Sequence, residues 1–295
     1  MKILCIGDIM LDVVAILDSD INYASDTKAQ ISTHGGGAAA NVASWLAVTG
    51  SDTFLMARVG DDSAGKSVLA ELDRYGVTHA NTVIEGAHTG VVIVLVDKSG
   101  ERTMFPDSGA NSGLGPTDLP DLDDITAIYL SGYCLLNLES RAGVLEIIEI
   151  ARNRNLKIVF DPASVGVLAH AGADQVRIWL SLMDLLIMNE EEAHFLSGLV
   201  DPVQAITNLL ELCPTVVIKR GSHGSLAQHR GGEVVHMQAM PAEVVDTTGA
   251  GDCFAAGFIP AWLNQRDLTE CLSGASDLAA QCVSVIGARP LVATS

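Results

Sequence analysis

The sequence is poor in positive charge. Its 295 residues include 17 Lys and Arg against 36 Asp and Glu, which gives a formal net charge of −19. Nucleic acids and anionic membranes are bound through clustered basic residues, so we expect neither as a partner. The chain also lacks an apolar run long enough to cross a membrane and a charged stretch ahead of its first apolar segment. We therefore expect a cytoplasmic protein.

Several motifs of common enzyme classes are absent. The six cysteines form no CxxC pair, and we interpret them as buried, reduced thiols. The eight histidines form no HExxH, and EEEAH at 190–194 lacks the second histidine of a zinc-binding helix. No GxSxG motif is present, which removes the most common sequence signal of a serine hydrolase. Aromatic residues make up only 4% of the chain, so few side chains besides Trp45, Phe105 and Tyr133 could sandwich a planar base.

Apolar runs rich in β-branched residues alternate with amphipathic stretches, which predicts a parallel sheet covered by helices. The predicted strands are 2–7, 54–60, 127–132, 157–161, 185–189 and 216–221. Several of them end in a polar residue or glycine, namely Asp8, Gly132, Asp161, Asn189 and Gly221. Ligands of open α/β sheets bind at the carboxyl ends of strands, so we expect these residues to line one cleft. Two stretches break the alternation: 13–33 is polar and irregular, and 89–107 predicts a hairpin that turns at 98–100.

The segment VVDTTGAGDCFAAGF, residues 244–258, combines a glycine turn with the start of an apolar helix. The amides of Gly249, Ala250 and Gly251, at a helix N-terminus, would bind a phosphate during its transfer. Asp252 stands beside them and would accept the proton of an attacking alcohol. A simple helix N-cap with glycine for the turn explains the same residues equally well.

A second motif decides between these interpretations. HGGGAAANVASWLAVTG (34–50) and the following FLMARVGDD (54–62) resemble the ribokinase-like sugar kinase family, also called PfkB, and DTTGAGD (246–252) resembles that family's other motif. The resemblance extends to GDIMLD (7–12), GERT (100–103), NEEE (189–192) and KRGSHG (219–224), so it covers nearly the whole chain. It implies one kinase domain over 1–295, a three-layer α/β/α sandwich with a mostly parallel central sheet. It also implies a small β-sheet lid near 13–33 and 89–107, and a homodimer that forms through this lid.

The resemblance also assigns residues to the sugar. Asp12 resembles the family's sugar-binding aspartate, whose carboxylate can accept two hydroxyl hydrogen bonds, although it could also be a strand cap or a surface acid. Gly36, Gly37 and Asn41 resemble the other half of the sugar clamp, because glycines let a substrate approach the backbone and the Asn amide both donates and accepts. A helix-terminal role is the alternative for Asn41.

Other family positions concern the nucleotide and its ions. Asn189 and Glu192 match the NxxE element, which is thought to organise Mg²⁺ and phosphate through water. Lys219, Gly221 and Gly224 match the nucleotide loop [TK]xGxxG, where the glycines admit ATP and the cation meets a phosphate. Asp246 and Thr248 match positions whose backbone carbonyls hold a monovalent cation such as K⁺ in many members.

The chain departs from the family in one place. Many relatives carry DxNxR where this chain has Asp161-Pro162-Ala163-Ser164-Val165, without the Asn and the Arg. This leaves Arg102 in the lid as the clearest cation on the substrate side, unless it is a solvated hairpin residue. The missing pair leaves the subfamily open.

Two other motif matches compete with this interpretation. GDDSAGKS (60–67) fits the Walker A pattern between a predicted strand and a predicted helix, with Asp161 as a Walker B candidate. We interpret Lys66 and Ser67 as coincidental, because a P-loop leaves both family motifs unexplained. GGGAAA (35–40) fits GxGxxA of dinucleotide folds, but ISTH before it is a poor buried strand.

The residues and the resemblance together predict an ATP-dependent kinase that phosphorylates a hydroxymethyl group of a small neutral sugar, with Mg²⁺ as cofactor and Asp252 as the base. A nucleoside kinase of the same fold is the alternative. A binding protein on a degenerate kinase fold is a third hypothesis, and the intact aspartate and anion hole argue against it.

Overall fold

The computed structural model describes residues 1–79, 82–99 and 101–291. Its strands are β1 Lys2–Ile6, β2 Met10–Leu17, β3 Ala29–Gly36, β4 Asp52–Met56, β5 Arg58–Gly60, β6 Thr78–His79, β7 Thr82–Ile84, β8 Val91–Val96, β9 Arg102–Asp107, β10 Ile125–Ser131, β11 Lys157–Asp161, β12 Leu185–Asn189, β13 Thr215–Lys219, β14 Ser225–His229 and β15 Val235–Met237. Its α-helices are α1 Ala38–Val48, α2 Ser63–Tyr75, α3 Gly132–Leu136, α4 Arg141–Asn153, α5 Val165–Ala171, α6 Ala173–Leu180, α7 Glu190–Ser197, α8 Pro202–Leu209, α9 Ala250–Leu263 and α10 Leu268–Val283.

The central sheet has the strand order β15-β14-β13-β12-β11-β10-β1-β4-β6 within the described residues. Its strands run parallel from β6 to β13, and β14 and β15 add an antiparallel edge. Alternate residues of β1 enter two separate hydrophobic clusters: Leu4 and Ile6 lie in one, and Ile3 and Cys5 lie in the other. Both faces of the sheet are therefore covered by helices, which explains why its strands are continuous apolar runs. The predicted three-layer architecture is confirmed.

The two stretches that interrupt the alternation form a separate sheet, ordered β3-β2-β8-β9, which we call the small sheet. The predicted hairpin is present, since β8 and β9 pair antiparallel from Val91 with Asp107 to Val96 with Arg102. Part of its predicted turn, Gly100, lies outside the described residues. The small β-sheet predicted near 13–33 and 89–107 is confirmed, and β2 and β3 occupy both ends of the polar segment 13–33.

The segment 54–60 was predicted as one strand, and this was wrong. The strand is interrupted at Ala57. As a result β4 pairs with β1 in the central sheet, and β5 pairs with β7 in a separate two-stranded sheet. Within the part of the chain that the structure describes, no helix combines the length and apolarity needed to cross a membrane. The six cysteines are all free and buried, as expected.

Candidate active site

A cavity of about 1380 Å³ lies where the carboxyl ends of the parallel strands meet the small sheet and the start of α9. Predicted residues in its lining are Asp8, Asp12, Gly37, Asn41, Asp161, Asn189, Glu192, Lys219, Gly221, Gly224 and residues 248–252. Among the described residues, Gly36, Arg102, Gly132 and Asp246 are predicted site residues outside that lining. Gly132 instead lies against the chain at 161–162, where an added Cβ would come within 2.6 Å of the Pro162 carbonyl.

The glycine turn does begin a helix. Gly249 is the N-cap of α9 with φ of 75°, and a Cβ there would lie 2.6 Å from the Ala288 Cβ, so glycine is required. The Ala250 amide donates to the Thr247 carbonyl at 3.3 Å. Helix geometry leaves the next amides, those of Gly251 and Asp252, without partners inside the helix. These two amides are thus better placed to bind an anion than the amide of Ala250.

Asp252 lies in the first turn of α9, and its Oδ2 accepts a hydrogen bond of 2.8 Å from Asn41 Nδ2. Burial raises the pKa of Asp252 to about 7; the Asn41 bond and Lys219 oppose this rise, and Asp161 and Asp8 add to it. A carboxylate whose pKa lies near neutrality can both accept and release a proton under physiological conditions.

A second group of charges lies beside it. Lys219 ends β13, and its Nζ donates to Asp161 Oδ2 at 2.7 Å. Burial disfavours the ammonium, yet Asp161 and Glu192 hold the pKa of Lys219 above its ordinary value. A Cβ added to Gly251 would be 3.0 Å from Lys219 Nζ, so this ammonium borders the turn at the start of α9. The sequence indicated the lysine but gave no sign of its pairing with Asp161.

Asn189 and Glu192 form a capping box at the start of α7. Asn189 accepts from the Glu192 amide at 2.8 Å, and the Glu192 carboxylate accepts from the Asn189 amide at 2.8 Å and from its Nδ2 at 2.7 Å. Burial and Asp161 raise the pKa of Glu192 to about 7, and Lys219 lowers it. Both Glu192 oxygens are engaged, which fits contact with a hydrated magnesium ion better than direct ligation. The described residues contain no group of three or more His, Cys, Asp or Glu side chains arranged to hold a metal by themselves.

Asp12 lies on β2 and reaches the cavity from the small sheet. In the described part of the chain its Oδ1 is buried and accepts no hydrogen bond. Burial raises the pKa of Asp12 to about 6, while Arg289 lowers it and Asp8 and Glu71 raise it. An unpartnered buried acceptor beside a cavity fits a ligand that supplies hydroxyl donors.

The glycines before α1 make room for the protein's own atoms. A Cβ on Gly36 would lie 2.2 Å from Asp12 Oδ1, and one on Gly37, where φ is 92°, would lie 2.6 Å from the Asp8 carbonyl. Asp8 itself accepts from the Ala38 amide at 3.1 Å and from Ser131 Oγ at 3.1 Å. The glycine run therefore brings the start of α1 against the end of β1, whether or not a substrate also approaches it.

Arg102 lies outside the cavity lining within the described part of the chain. It forms an ion pair with Asp246 and donates to Thr247 Oγ1 at 3.2 Å, which joins the small sheet to the turn before α9. Asp246 also accepts from the amides of Thr248 at 2.7 Å and Gly287 at 2.9 Å. Burial opposes ionisation of Asp246, but these bonds and Arg102 keep its pKa below the usual value. The turn whose carbonyls were predicted to hold a cation is thus fixed by the Asp246 side chain.

The predicted nucleotide loop follows β13. Gly221 begins a short 3-10 turn, Gly221–His223, with φ of 53°, and Gly224 has φ of 85°. A Cβ on Gly224 would lie 1.9 Å from the Met237 carbonyl, so this position also requires glycine. Both glycines line the cavity.

The three aromatic candidates lie in different places. Trp45 is buried, and its Nε1 donates to the Ala288 carbonyl at 2.8 Å. Phe105 is exposed and pairs with Ile93 on the face of the small sheet away from the cavity. Tyr133 alone of the three lines the cavity. The sequence did not indicate Tyr129, a fully buried residue of β10 that also lines the cavity and whose hydroxyl has no partner in the described structure.

The Walker-like segment does not form a phosphate loop. Asp62 is the N-cap of α2, and its carboxylate accepts from the Gly65 amide at 2.8 Å and from Thr89 Oγ1 at 2.7 Å, so it occupies the anion position at this helix start. Lys66 is exposed and lies outside the cavity lining among the described residues. The dinucleotide interpretation of 35–40 fails as well, because β3 belongs to the small sheet and pairs antiparallel with β2.

The fold and the cavity define an α/β phosphotransferase of the ribokinase type. The pfkB family carbohydrate kinase model matches residues 1–294, and the chain belongs to this family. It is a carbohydrate kinase. An ATP-dependent ribose-1-phosphate kinase of Halopiger xanaduensis is 30% identical over 292 residues, which cover 98% of this chain and 94% of the relative. A ribokinase of Haemophilus influenzae is 30% identical over 268 residues, covering 88% and 84% of the two chains.

Solved structures agree with this assignment. The adenosine kinase of Sinorhizobium meliloti has a TM-score of 0.89 at 26% identity, covering 99% of this chain and 96% of its own. An E. coli protein described as a ribokinase II, solved with ATP and Mg²⁺, has a TM-score of 0.87 at 25% identity, covering 97% and 94%.

Proposed function

We propose that this enzyme transfers the γ-phosphoryl group of ATP to a hydroxymethyl group of a small neutral sugar, with Asp252 as the general base. The observation that carries the proposal is the position of Asp252: a buried carboxylate with a pKa of about 7, in the first turn of the helix whose N-terminal amides border the same cavity. A base beside an anion site is the arrangement that proton removal from an alcohol attacking a phosphate requires.

The lining residues then take distinct roles. Asp12 and Asn41 bind hydroxyls and orient the substrate. The amides of Gly251 and Asp252 stabilise the phosphoryl group in transfer, and Lys219 adds positive charge next to them. The loop that contains Gly221 and Gly224 accepts the nucleotide, and the small sheet covers the substrate and excludes water.

Magnesium fits the donors that are present. Mg²⁺ would neutralise phosphate charge, with Asn189 and Glu192 holding its waters beside Asp161. The E. coli structure solved with ATP and Mg²⁺ supports both as components of this reaction.

We further propose a monovalent cation such as K⁺ on the carbonyls of Asp246 and Thr248. The six free thiols and the requirement for ATP support a cytoplasmic location.

The charges of the lining favour a neutral substrate. Its cations, Lys219 and Arg220, both lie at the nucleotide side, whereas the substrate end contains Asp8 and Asp12. Arg102 is engaged with Asp246 and does not compensate these acids. The Halopiger relative is named as a kinase of ribose 1-phosphate. The phosphate of such a sugar would be repelled by the negative charge at this end of the cavity.

A nucleoside is the second candidate substrate, and one feature favours it. The small sheet contributes an apolar wall of Val92, Val94, Met104 and Pro106, and Tyr133 lies in the same lining. Such a wall could contact a planar base. The similarity to an adenosine kinase agrees with this alternative.

A substrate panel tests the proposal. ADP release measured with ATP and neutral pentoses, hexoses, nucleosides and sugar phosphates should give the highest kcat/KM with a free sugar and the lowest with sugar phosphates. Asp252→Asn should fold normally and lower kcat by about 10²–10⁴-fold. Asp12→Ala should weaken binding of the preferred substrate by about 1–3 kcal/mol, with the KM for ATP unchanged. A nucleoside that outperforms every sugar tenfold establishes the alternative, and wild-type turnover in Asp252→Asn removes that residue from the mechanism.

A further inference from the structure

A buried arginine joins the C-terminal segment to the active site. Arg289 follows α10, and its side chain is only 3% exposed. Its Nη2 donates to the Gly36 carbonyl at 2.8 Å, and its Nε donates to Asn41 Oδ1 at 3.3 Å. No motif in the sequence distinguishes this residue.

Arg289 and Asp252 hold the Asn41 amide from opposite sides. A guanidinium group has only donors, so the amide must turn its oxygen towards Arg289. Its nitrogen then faces Asp252, where Nδ2 donates to Oδ2 at 2.8 Å. The ionised Asp252 carboxylate only accepts and favours the same orientation, and without the arginine the Asn41 oxygen loses the donor that holds it on the other side. The three residues form a chain of hydrogen bonds in which each donates to the next.

The surroundings are shaped to hold the arginine. A Cβ on Gly35 would lie 2.0 Å from Arg289 Nη1, so this position admits only glycine beside it. Glu71 on α2 lies 3.4 Å from the same nitrogen and also accepts from the Gly35 amide at 3.1 Å. Tyr75 donates to the other oxygen of Glu71 at 2.9 Å. The guanidinium is therefore held from α2 while it bonds to α1 and β3.

We propose that Arg289 is a positioning residue for phosphoryl transfer, which holds the Asn41 amide so that it donates to Asp252 and affects catalysis through that bond. The proposal rests on the proposed role of Asp252 as the base. The bond from Asn41 favours the ionised carboxylate, the form that can accept a proton.

Other titratable groups also influence the pKa of Asp252, and they act independently of the hydrogen bonds from Arg289 to Asn41 and from Asn41 to Asp252. Asp8 after β1, Asp161 at the end of β11 and Lys219 at the end of β13 all influence it, and Tyr129 lies on the neighbouring β10. None of them is bonded to Arg289 among the contacts of the described residues. Arg289→Lys keeps the positive charge, so a change in Asp252 titration in that variant reports on the Asn41 bond and not on the loss of a charge.

The test uses two variants of the full chain. Arg289→Met removes the donors, and Arg289→Lys keeps a cation for Glu71 but cannot also reach Asn41 and Gly36. We expect both to lower kcat about tenfold or more with little change in the KM for ATP. The acid limb of the kcat against pH profile should move to higher pH in both. If Arg289→Met fails to fold, Arg289→Lys decides the question.

A double-mutant cycle separates positioning from general damage. In an Asn41→Ala background, Arg289→Met should change kcat by less than about threefold, because its target is already gone. Arg58→Met is the matched control: Arg58 pairs with Asp118 at 2.9 Å outside the cavity lining, so its loss should lower the Tm and leave the acid limb in place. Equal losses of kcat in both backgrounds, or an unmoved acid limb, would overturn the proposal. If Asp252→Asn retains wild-type turnover, the proposed function fails instead.

Discussion

At the residue scale, the active site holds more negative charge than positive before its substrates arrive. Asp8, Asp161, Glu192 and Asp252 all line the cavity, and Lys219 is the ammonium among them. Burial raises the pKa values of Glu192 and Asp252, Asp161 adds to the rise, and Lys219, which pairs with Asp161, opposes it only in part. A site of this kind is stabilised when a nucleotide brings its metal ion, because the ion supplies the missing positive charge.

The raised pKa values predict how stability depends on pH. The pKa of Asp252 lies at about 7 in the folded chain, above its ordinary value of 3.8, so the folded state binds this proton more tightly than the unfolded state. Stability from this group is full below the unfolded pKa and is lost as the pH rises through about 7. Asp252→Asn removes that loss, and we expect its Tm to exceed the wild-type Tm more at pH 8 than at pH 5. Thermal melts at both pH values check this.

A second acid on the protein surface serves as the control for the pH dependence of the Tm. Asp277→Asn changes an exposed acid on α10 and should shift the Tm equally at both pH values. If Asp252→Asn behaves in the same way, the Asp252 carboxylate is not held in its protonated form by the fold.

Sequence reasoning indicated residues of the cavity lining where a local motif contained them and missed the contacts that only tertiary structure brings together. Asp252 and Asn41 were identified within motifs, and the structure places them in contact across 211 positions of sequence. Arg289 was missed because its partners on α1, α2 and β3 are distant in sequence and no motif marks it. Arg102 was predicted either as a cation on the substrate side or as a solvated hairpin residue, and neither prediction indicated its ion pair with Asp246.

At the element scale, the central strands were predictable because both of their faces are buried. The strands β11 and β12 have the predicted bounds, 157–161 and 185–189. The small sheet was predicted from the family resemblance and not from the residue pattern of its first half, because β3 is an edge strand with exposed residues such as Gln30 and Ser32, and its composition is typical of a loop. The interruption between β4 and β5 at Ala57 could not be predicted from composition, because residues that favour strands lie on both sides of it.

The Walker-like segment gives a prediction about α2. Lys66→Ala should leave nucleotide binding and turnover unchanged, because Lys66 is exposed and outside the cavity lining of the described structure. Asp62→Ala should destabilise the protein by about 1–2 kcal/mol, because the helix loses its N-cap. Denaturant unfolding and ADP release, measured on both variants, check these outcomes. Loss of ATP binding in a folded Lys66→Ala protein would support the interpretation of residues 60–67 as a P-loop.

The turn before α9 gives a prediction about monovalent cations. An ion on the carbonyls of Asp246 and Thr248 would add to the bonds that already hold this turn and would order the amides that follow. Replacing K⁺ by tetramethylammonium at constant ionic strength should therefore lower kcat, with the rate recovering as K⁺ is added back. Equal rates in the two salts would contradict the cation site and leave the kinase assignment intact.

At the scale of the whole molecule, the small sheet has two different faces. Residues alternate along a strand, so Val92, Val94 and Met104 face the cavity while Ile93 and Phe105 face away from it. On that outer face Ile31 is 70% exposed, Ile93 46% and Phe105 54%. Apolar side chains exposed together on one sheet face indicate an interaction surface.

We predict a homodimer that pairs the outer faces of two small sheets. The measured mass in solution should be twice the chain mass of 30.9 kDa. Replacing Ile93 and Phe105 together by Lys should give a monomer, because two buried charges without partners oppose association. The monomer should keep its affinity for ATP, because the predicted nucleotide loop lies outside the small sheet. It should lose affinity for the sugar, because the small sheet that carries Asp12 would lose its support. Ile178→Lys, an exposed apolar position on α6, is the control and should remain dimeric. A wild-type protein that sediments as a monomer at high concentration would contradict the dimer, and a dimer that persists in the Ile93 and Phe105 variant would place the interface elsewhere.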